Sequence, residues 1–233
     1  MKIDVKGPII DSDEQWIYDW FEIEATSPKK INDLINQTES NENLEVEINS
    51  GGGSIFAGSE IYTALKAYKG NVTTKIVGLA ASAASVIAMA ADKILMSPTA
   101  QLMIHNASGS FNGDYNDMDK GSEILKNVNA GISNAYMLKT GLSNEELLQM
   151  MNKETWMTAQ QALDNKFIDE IMFSDNIKVV ASINNSMLPR QVINKMKNKL
   201  ADNTTLKNKK KLENDNKNKI KILKAKLALE IEL

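Results

Sequence analysis

Leu44-Glu45-Val46-Glu47-Ile48-Asn49-Ser50-Gly51-Gly52-Gly53-Ser54 decides how this chain folds. Apolar and charged residues alternate from Leu44 to Ile48, the period of a strand with one buried face. Three glycines then free the backbone to turn. Ile55, Ile61, Tyr62, Leu65 and Tyr68 follow in a helical pattern that Gly70 ends. Val72, Thr74 and Ile76 resume the strand period, so residues 44–76 predict a strand, helix, strand unit. The fold class that follows is α/β.

Working outward, small residues predict a helix from about Ala80 to Ala91. Two short apolar runs come next, Ile94-Leu95-Met96 and Leu102-Met103-Ile104, separated by a turn around Pro98. Asp117 to Leu138 reads as an amphipathic helix with Met118, Ile124, Leu125, Val128, Ile132 and Met137 roughly on one side, closed by Lys139-Thr140-Gly141. That stripe is read as ordinary helix packing. Ser143 with Glu146, and Thr158 with Gln161, have the spacing of capping boxes.

The chain has 233 residues, 42% of them hydrophobic, enough for one sizeable core. It has no cysteine, which excludes disulfides, thiolate zinc sites and cysteine nucleophiles. A single histidine excludes every multi-histidine metal site, so no metal or cofactor is expected. If a histidine does chemistry, it is His105. No apolar run approaches the roughly 20 residues of a membrane span, and Met1-Lys2-Ile3-Asp4 opens no secretory signal. A cytoplasmic protein without membrane partners is expected.

The net charge of −3 hides an asymmetry. Residues from Ser186 onward carry 13 basic and 5 acidic side chains, against 14 and 25 in the rest. Residues 1–180 therefore read as the folded domain and 181–233 as a basic, Lys- and Asn-rich tail, flexible or helical, in which Ile220, Leu223 and Leu227 share one helical face. Basic runs are more often solvated than bound, so no nucleic-acid partner is expected.

Three segments carry chemical potential. Gly51-Gly52-Gly53, between strand and helix, can turn with positive φ and leave amides free for an anion or oxyanion, although a tight turn alone explains three glycines. Gly78-Leu79-Ala80-Ala81-Ser82-Ala83-Ala84-Ser85 sets a serine among side chains small enough to admit an extended substrate. Serine is also a favoured helix cap, which is the structural reading of Ser82. His105 ends an apolar run where a base could stand, and Glu154 is one of 30 acidic residues that could orient it.

Taken in order, these segments resemble the ClpP family of serine peptidases. The family pattern Asn-Ser-Pro-Gly-Gly, then Gly-X-Ala-Ala-Ser, then Met-Ile-His, then Asp-Arg-Phe-Leu-Ser-Ala is matched by Asn49–Gly53, Gly78–Ser82, Met103–His105 and Glu154–Ala159. The likeness covers roughly residues 1–175, and within the family it leans towards the ClpP-like head maturation proteases of tailed phages. The chain departs at Gly51, where the family has proline, at Asn106-Ala107 after the histidine, and at Glu154, where it has aspartate.

The resemblance implies a ClpP/crotonase-like spiral of strand-strand-helix units with an outer helix that interleaves between rings. It implies Ser82 as nucleophile, His105 as general base then acid, and Glu154 as orienting acid. The N–H groups of Gly53 and Ala83 would form the oxyanion hole, with Gly52 and Ser54 in the substrate-binding loop. Ser85 matches no nucleophile position. A homo-oligomer of heptameric rings is implied, acting without an ATPase partner on capsid or scaffold segments in the host cytoplasm or the assembling prohead. Two other readings use the same fold: a crotonase-type acyl-CoA enzyme, which needs no serine nucleophile, and a non-catalytic assembly scaffold.

Overall fold

The structure is a computed structural model that describes residues 1–39 and 42–174. The tail expected at 181–233 lies outside the described residues. Seven strands form one sheet: β1 (Lys2–Lys6), β2 (Leu44–Ser50), β3 (Val72–Ala81), β4 (Lys93–Met96), β5 (Gln101–Ile104), β6 (Thr155–Thr158) and β7 (Glu170–Ile171). The seven described helices are α1 (Gln15–Trp20), α2 (Pro28–Asn36), α3 (Ile55–Ala67), α4 (Ala83–Ala88), α5 (Tyr115–Thr140), α6 (Asn144–Asn152) and α7 (Ala159–Asp164). The expected strand, helix, strand unit is β2–α3–β3, and its two strands are parallel.

Strands β1, β2, β3, β4 and β7 lie side by side, all parallel. β3 changes partner along its length. Thr73–Ile76 pair with β4, whereas Leu79–Ala81 pair with β5, which the turn at Pro98 offsets from β4. β6 runs antiparallel to β5. The alternation read in β2 has a clear cause on both sides. Leu44, Val46 and Ile48 are fully buried, while Glu45 and Glu47 reach across to Lys75 at 2.6 Å and Lys2 at 2.9 Å.

The helix expected from Ala80 to Ala91 is shorter and starts later. Ala80 and Ala81 are the last residues of β3, Ser82 is the junction, and the helix proper is Ala83–Ala88. Small-residue runs have no period, so a strand end and a helix start read alike. All six residues of α4 are buried, and only small side chains permit that approach: a Cβ on Gly58 of α3 would stand 3.0 Å from Ala83 Cβ.

α5 is longer than expected. Asp114 caps it in a capping box with Asp117, and Gly141 closes it at φ 72. Its apolar stripe does not all pack inward. Ile132 and Tyr136 are buried, but Met118, Ile124 and Met137 are exposed. Ser143 and Thr158 make the expected capping boxes with Glu146 and Gln161. Among the described residues no helix is long and apolar enough to cross a membrane.

Candidate active site

Ser82 follows the last residue of β3 with φ 55 and ψ −125, a backbone conformation that costs a non-glycine residue about 1–3 kcal/mol. Several bonds impose it. The Ser82 N–H donates to Met103 O at 3.0 Å, and its carbonyl accepts from Ser85 Oγ at 2.6 Å and from the N–H groups of Ser85 and Val86. The bend aims the side chain away from its own helix. Ser82 Oγ accepts no helix N–H, so it is not the cap that serine at this position suggests.

Instead Ser82 Oγ is hydrogen-bonded to His105 Nε2 at 2.8 Å. His105 is the first residue after β5, and β5 is in register with the end of β3, with Ala81 opposite Met103. The loop beyond it is tied down by two asparagines that sequence reading missed. Asn129 Oδ1 accepts from Ala107 N, and Asn152 Oδ1 accepts from Asn106 Nδ2, both at 2.8 Å. Each stands on a helix surface with nothing in its sequence neighbourhood to mark it.

The glycine loop packs directly on the serine. Gly52, at φ 92, would place a Cβ 2.7 Å from both Ser82 Cβ and Ala81 O. Its own N–H donates to Ser50 Oγ and its carbonyl accepts from Ile9 N, so its polar groups are engaged within the loop. Gly53, at φ 151, would place a Cβ 2.1 Å from Ile9 O. Ser54 caps α3 through Ala57 N and donates to Asp11 Oδ1 at 2.8 Å. The N–H groups of Gly53 and Ala83 donate to no other described residue. Both amides are therefore unpaired, Ala83 next to Ser82 in the chain and Gly53 sharing a cleft lining with it, and free N–H donors are what an oxyanion needs.

A cleft of about 340 Å³ opens over these groups, with Gly53, Ser82 and His105 in its lining and Val86, Ile132 and Tyr136 as its apolar wall. Beneath it, Ser85 Oγ contacts Tyr136 Oη at 2.8 Å. Ser85 spends its one proton on the Ser82 carbonyl, so the tyrosine is the donor. Burial pushes the Tyr136 phenol well above its ordinary range, which keeps it a neutral donor. Ser85 is buried and committed to two bonds.

Glu154 stands at the same end of the sheet. The β5–β6 ladder ends at the pair Ile104 and Thr155, so His105 leaves β5 and Glu154 enters β6 at the same end of the ladder. Glu154 has φ 48, and its Oε1 accepts from Trp156 Nε1 at 3.2 Å. No hydrogen bond joins it to His105 and it does not line the cleft, so the structure brings Ser82, His105 and Gly53 together, with Ala83 next to the serine in the chain, and leaves Glu154 outside that group. No group of three His, Cys, Asp or Glu among the described residues could hold a metal ion.

A family model described as Clp protease matches residues 23–175. The ATP-dependent Clp protease proteolytic subunit 1 of Chlamydia abortus is 38% identical over 134 residues, covering 55% of this chain and 69% of that protein. The proteolytic subunit of Deinococcus radiodurans is 32% identical over 142 residues, covering 60% and 69%. Subunit 2 of Tropheryma whipplei is 28% identical over 140 residues, covering 59% and 78%.

Proposed function

This chain belongs to the Clp protease family, and we propose that Ser82 is its nucleophile, His105 its general base and Glu154 the acid that orients the base. It is a serine endopeptidase of the ClpP type. The observation that carries the assignment is the 2.8 Å contact between Ser82 Oγ and His105 Nε2, made by a serine whose strained backbone turns it away from capping. In the reaction, Oγ attacks the scissile carbonyl as its proton passes to Nε2. The oxyanion forms between the amides of Gly53 and Ala83, and the imidazolium returns the proton to the leaving amine. Water then repeats the sequence on the acyl-enzyme with His105 again as base.

A crotonase-type enzyme or a scaffold would not need Ser82 and His105 in contact. A fluorophosphonate tests the assignment directly: peptide mapping should find the adduct on Ser82, and His105→Ala should abolish it while the fold persists. An adduct on Ser85, or equal labelling without His105, overturns it.

The finer role is read from the sequence likeness to head maturation proteases. In that role the chain forms homo-oligomeric rings and cuts capsid or scaffold segments during phage head assembly, without an ATPase. The relatives named above are bacterial subunits described as ATP-dependent, so the two roles separate experimentally. Cleavage of a capsid or scaffold protein by the purified chain without nucleotide supports the assembly role. Cleavage that requires an added ATPase and its nucleotide rejects it and leaves the peptidase assignment standing.

A further inference from the structure

We propose that Trp156 is a positioning residue, whose indole N–H holds the Glu154 carboxylate at the His105 end of the β5–β6 ladder. The inference rests on the reading of Glu154 as the orienting acid and deepens it. An acid in that role must present one oxygen to Nδ1 of the histidine with its other oxygen satisfied, because a loosely held carboxylate spends its time in water. Glutamate makes this harder than aspartate, since one more methylene adds one more rotatable bond.

The local structure meets that difficulty at both ends of the residue. The Glu154 backbone is fixed by its N–H on Met151 O at 3.1 Å and by the φ of 48 that turns the chain out of α6 into β6. The side chain is fixed by Trp156, which donates to Oε1 and leaves Oε2 with no described partner. Trp156 is itself held in the ladder opposite Met103, two residues before His105. Half of the indole is exposed, so burial of the ring does not by itself account for a tryptophan here. The motif this segment resembles has aspartate and phenylalanine at these two positions, and the longer acid and the N–H donor occur together in this chain.

The test is a double-mutant cycle on peptide hydrolysis by the full chain, with Glu154→Gln, Trp156→Phe and the pair, folding being checked by circular dichroism. Phenylalanine keeps the ring and removes the donor. Trp156→Phe should lower kcat by about tenfold at unchanged KM, since the carboxylate acts on the imidazolium formed in the transition state. The same substitution should cost almost nothing in the Glu154→Gln background. In a nitrogen-proton spectrum, the indole cross-peak that Trp156→Phe deletes should shift in Glu154→Gln. An equal loss in both backgrounds, or a raised KM, makes Trp156 a packing or substrate residue and overturns the inference. So does an unchanged kcat for Trp156→Phe where Glu154→Gln is severely impaired, and the orienting role of Glu154 then survives. If Glu154→Gln itself keeps full kcat, that role fails and the inference fails with it.

Discussion

Alanine substitutions at Gly51 and Gly52 separate two roles that look identical in sequence. At Gly52 the added Cβ meets Ser82 Cβ and Ala81 O at 2.7 Å and Ala83 N at 3.0 Å, where ordinary contact begins at 3.4 Å. The atoms it meets belong to the backbone and to the first atom of the serine side chain, none of which can swing aside. Relief requires a movement of about 0.7 Å, and it separates the loop from the serine. The φ of 92 adds backbone strain of about 1–3 kcal/mol, and overpacking adds a similar amount. The total of about 2–6 kcal/mol is a large part of a typical domain stability of about 5–15 kcal/mol, so the variant should fold with a lowered midpoint. Its reactivity should fall further than its stability, because misplacing reacting groups by about 1 Å costs about a hundredfold in rate. Fluorophosphonate labelling rates, read beside urea midpoints, measure both effects. At Gly51 a Cβ meets nothing within 4 Å and φ is not positive, so Gly51→Ala should change neither measurement. Wild-type labelling by Gly52→Ala, or an equal loss in Gly51→Ala, would refute the claim that the loop is shaped by contact with Ser82.

Ser85→Ala should destabilise the fold by about 1–3 kcal/mol in urea titrations, because the buried Tyr136 hydroxyl loses its partner, and an unchanged midpoint would show that the pair carries no stability. Replacing Met118 and Ile124 with serine should leave the protomer folded and reduce the mass measured by light scattering, since both side chains are exposed on α5 (Ile124 by 46%); an unchanged mass moves the subunit interface elsewhere. The hydrogen bond from Lys2 holds the Glu47 carboxyl below its ordinary range, so its contribution is complete above the unfolded carboxylate range and is lost as pH falls through the folded value. Glu47→Gln should therefore lose less stability than the wild type between pH 7 and pH 3, and parallel curves would show that the pair contributes nothing.

The residues legible in sequence are those whose chemistry or spacing is local. Alternation gave β2 and the first half of β3, capping boxes gave the starts of α6 and α7, and a closing glycine gave the end of α5. Ser82, His105 and the glycine loop, which the structure brings together, are each marked by a local motif. What stayed hidden depends on partners distant in the chain. β1 offers only two apolar residues, Ile3 and Val5, and is held as a strand by pairing Lys2–Lys6 with Glu45–Asn49, distant in the chain. The boundary inside Ala80–Ala91 falls at Ser82, whose N–H still bonds to Met103 O across the sheet while its φ of 55 turns the chain into α4, where no change of composition marks it. The exposed half of α5 looks the same as packed helix in a helical pattern, since periodicity reports a face and not what covers it.

The topology explains why residues so far apart in sequence meet. In a parallel sheet every strand ends on the same side, so the loops that leave β2, β3 and β5 emerge together, and they carry Gly52-Gly53, Ser82 and His105. β3 stands between the other two at this end, which sets the serine between the glycine loop and the histidine. That central position exists because β3 exchanges β4 for β5 beyond Ile76, and because β2 is bulged against it between Ile48 and Ser50. At the bulge, Asn49 Oδ1 accepts from Leu79 N, and a Cβ on Gly78 would strike that oxygen at 2.4 Å. Gly78 is therefore a residue of the sheet irregularity that brings the glycine loop beside the serine. β6 is antiparallel, so its beginning lies where the parallel strands end, and Glu154 precedes it. One reversal of strand direction thus brings an acid from the far end of the domain to the same edge as the histidine.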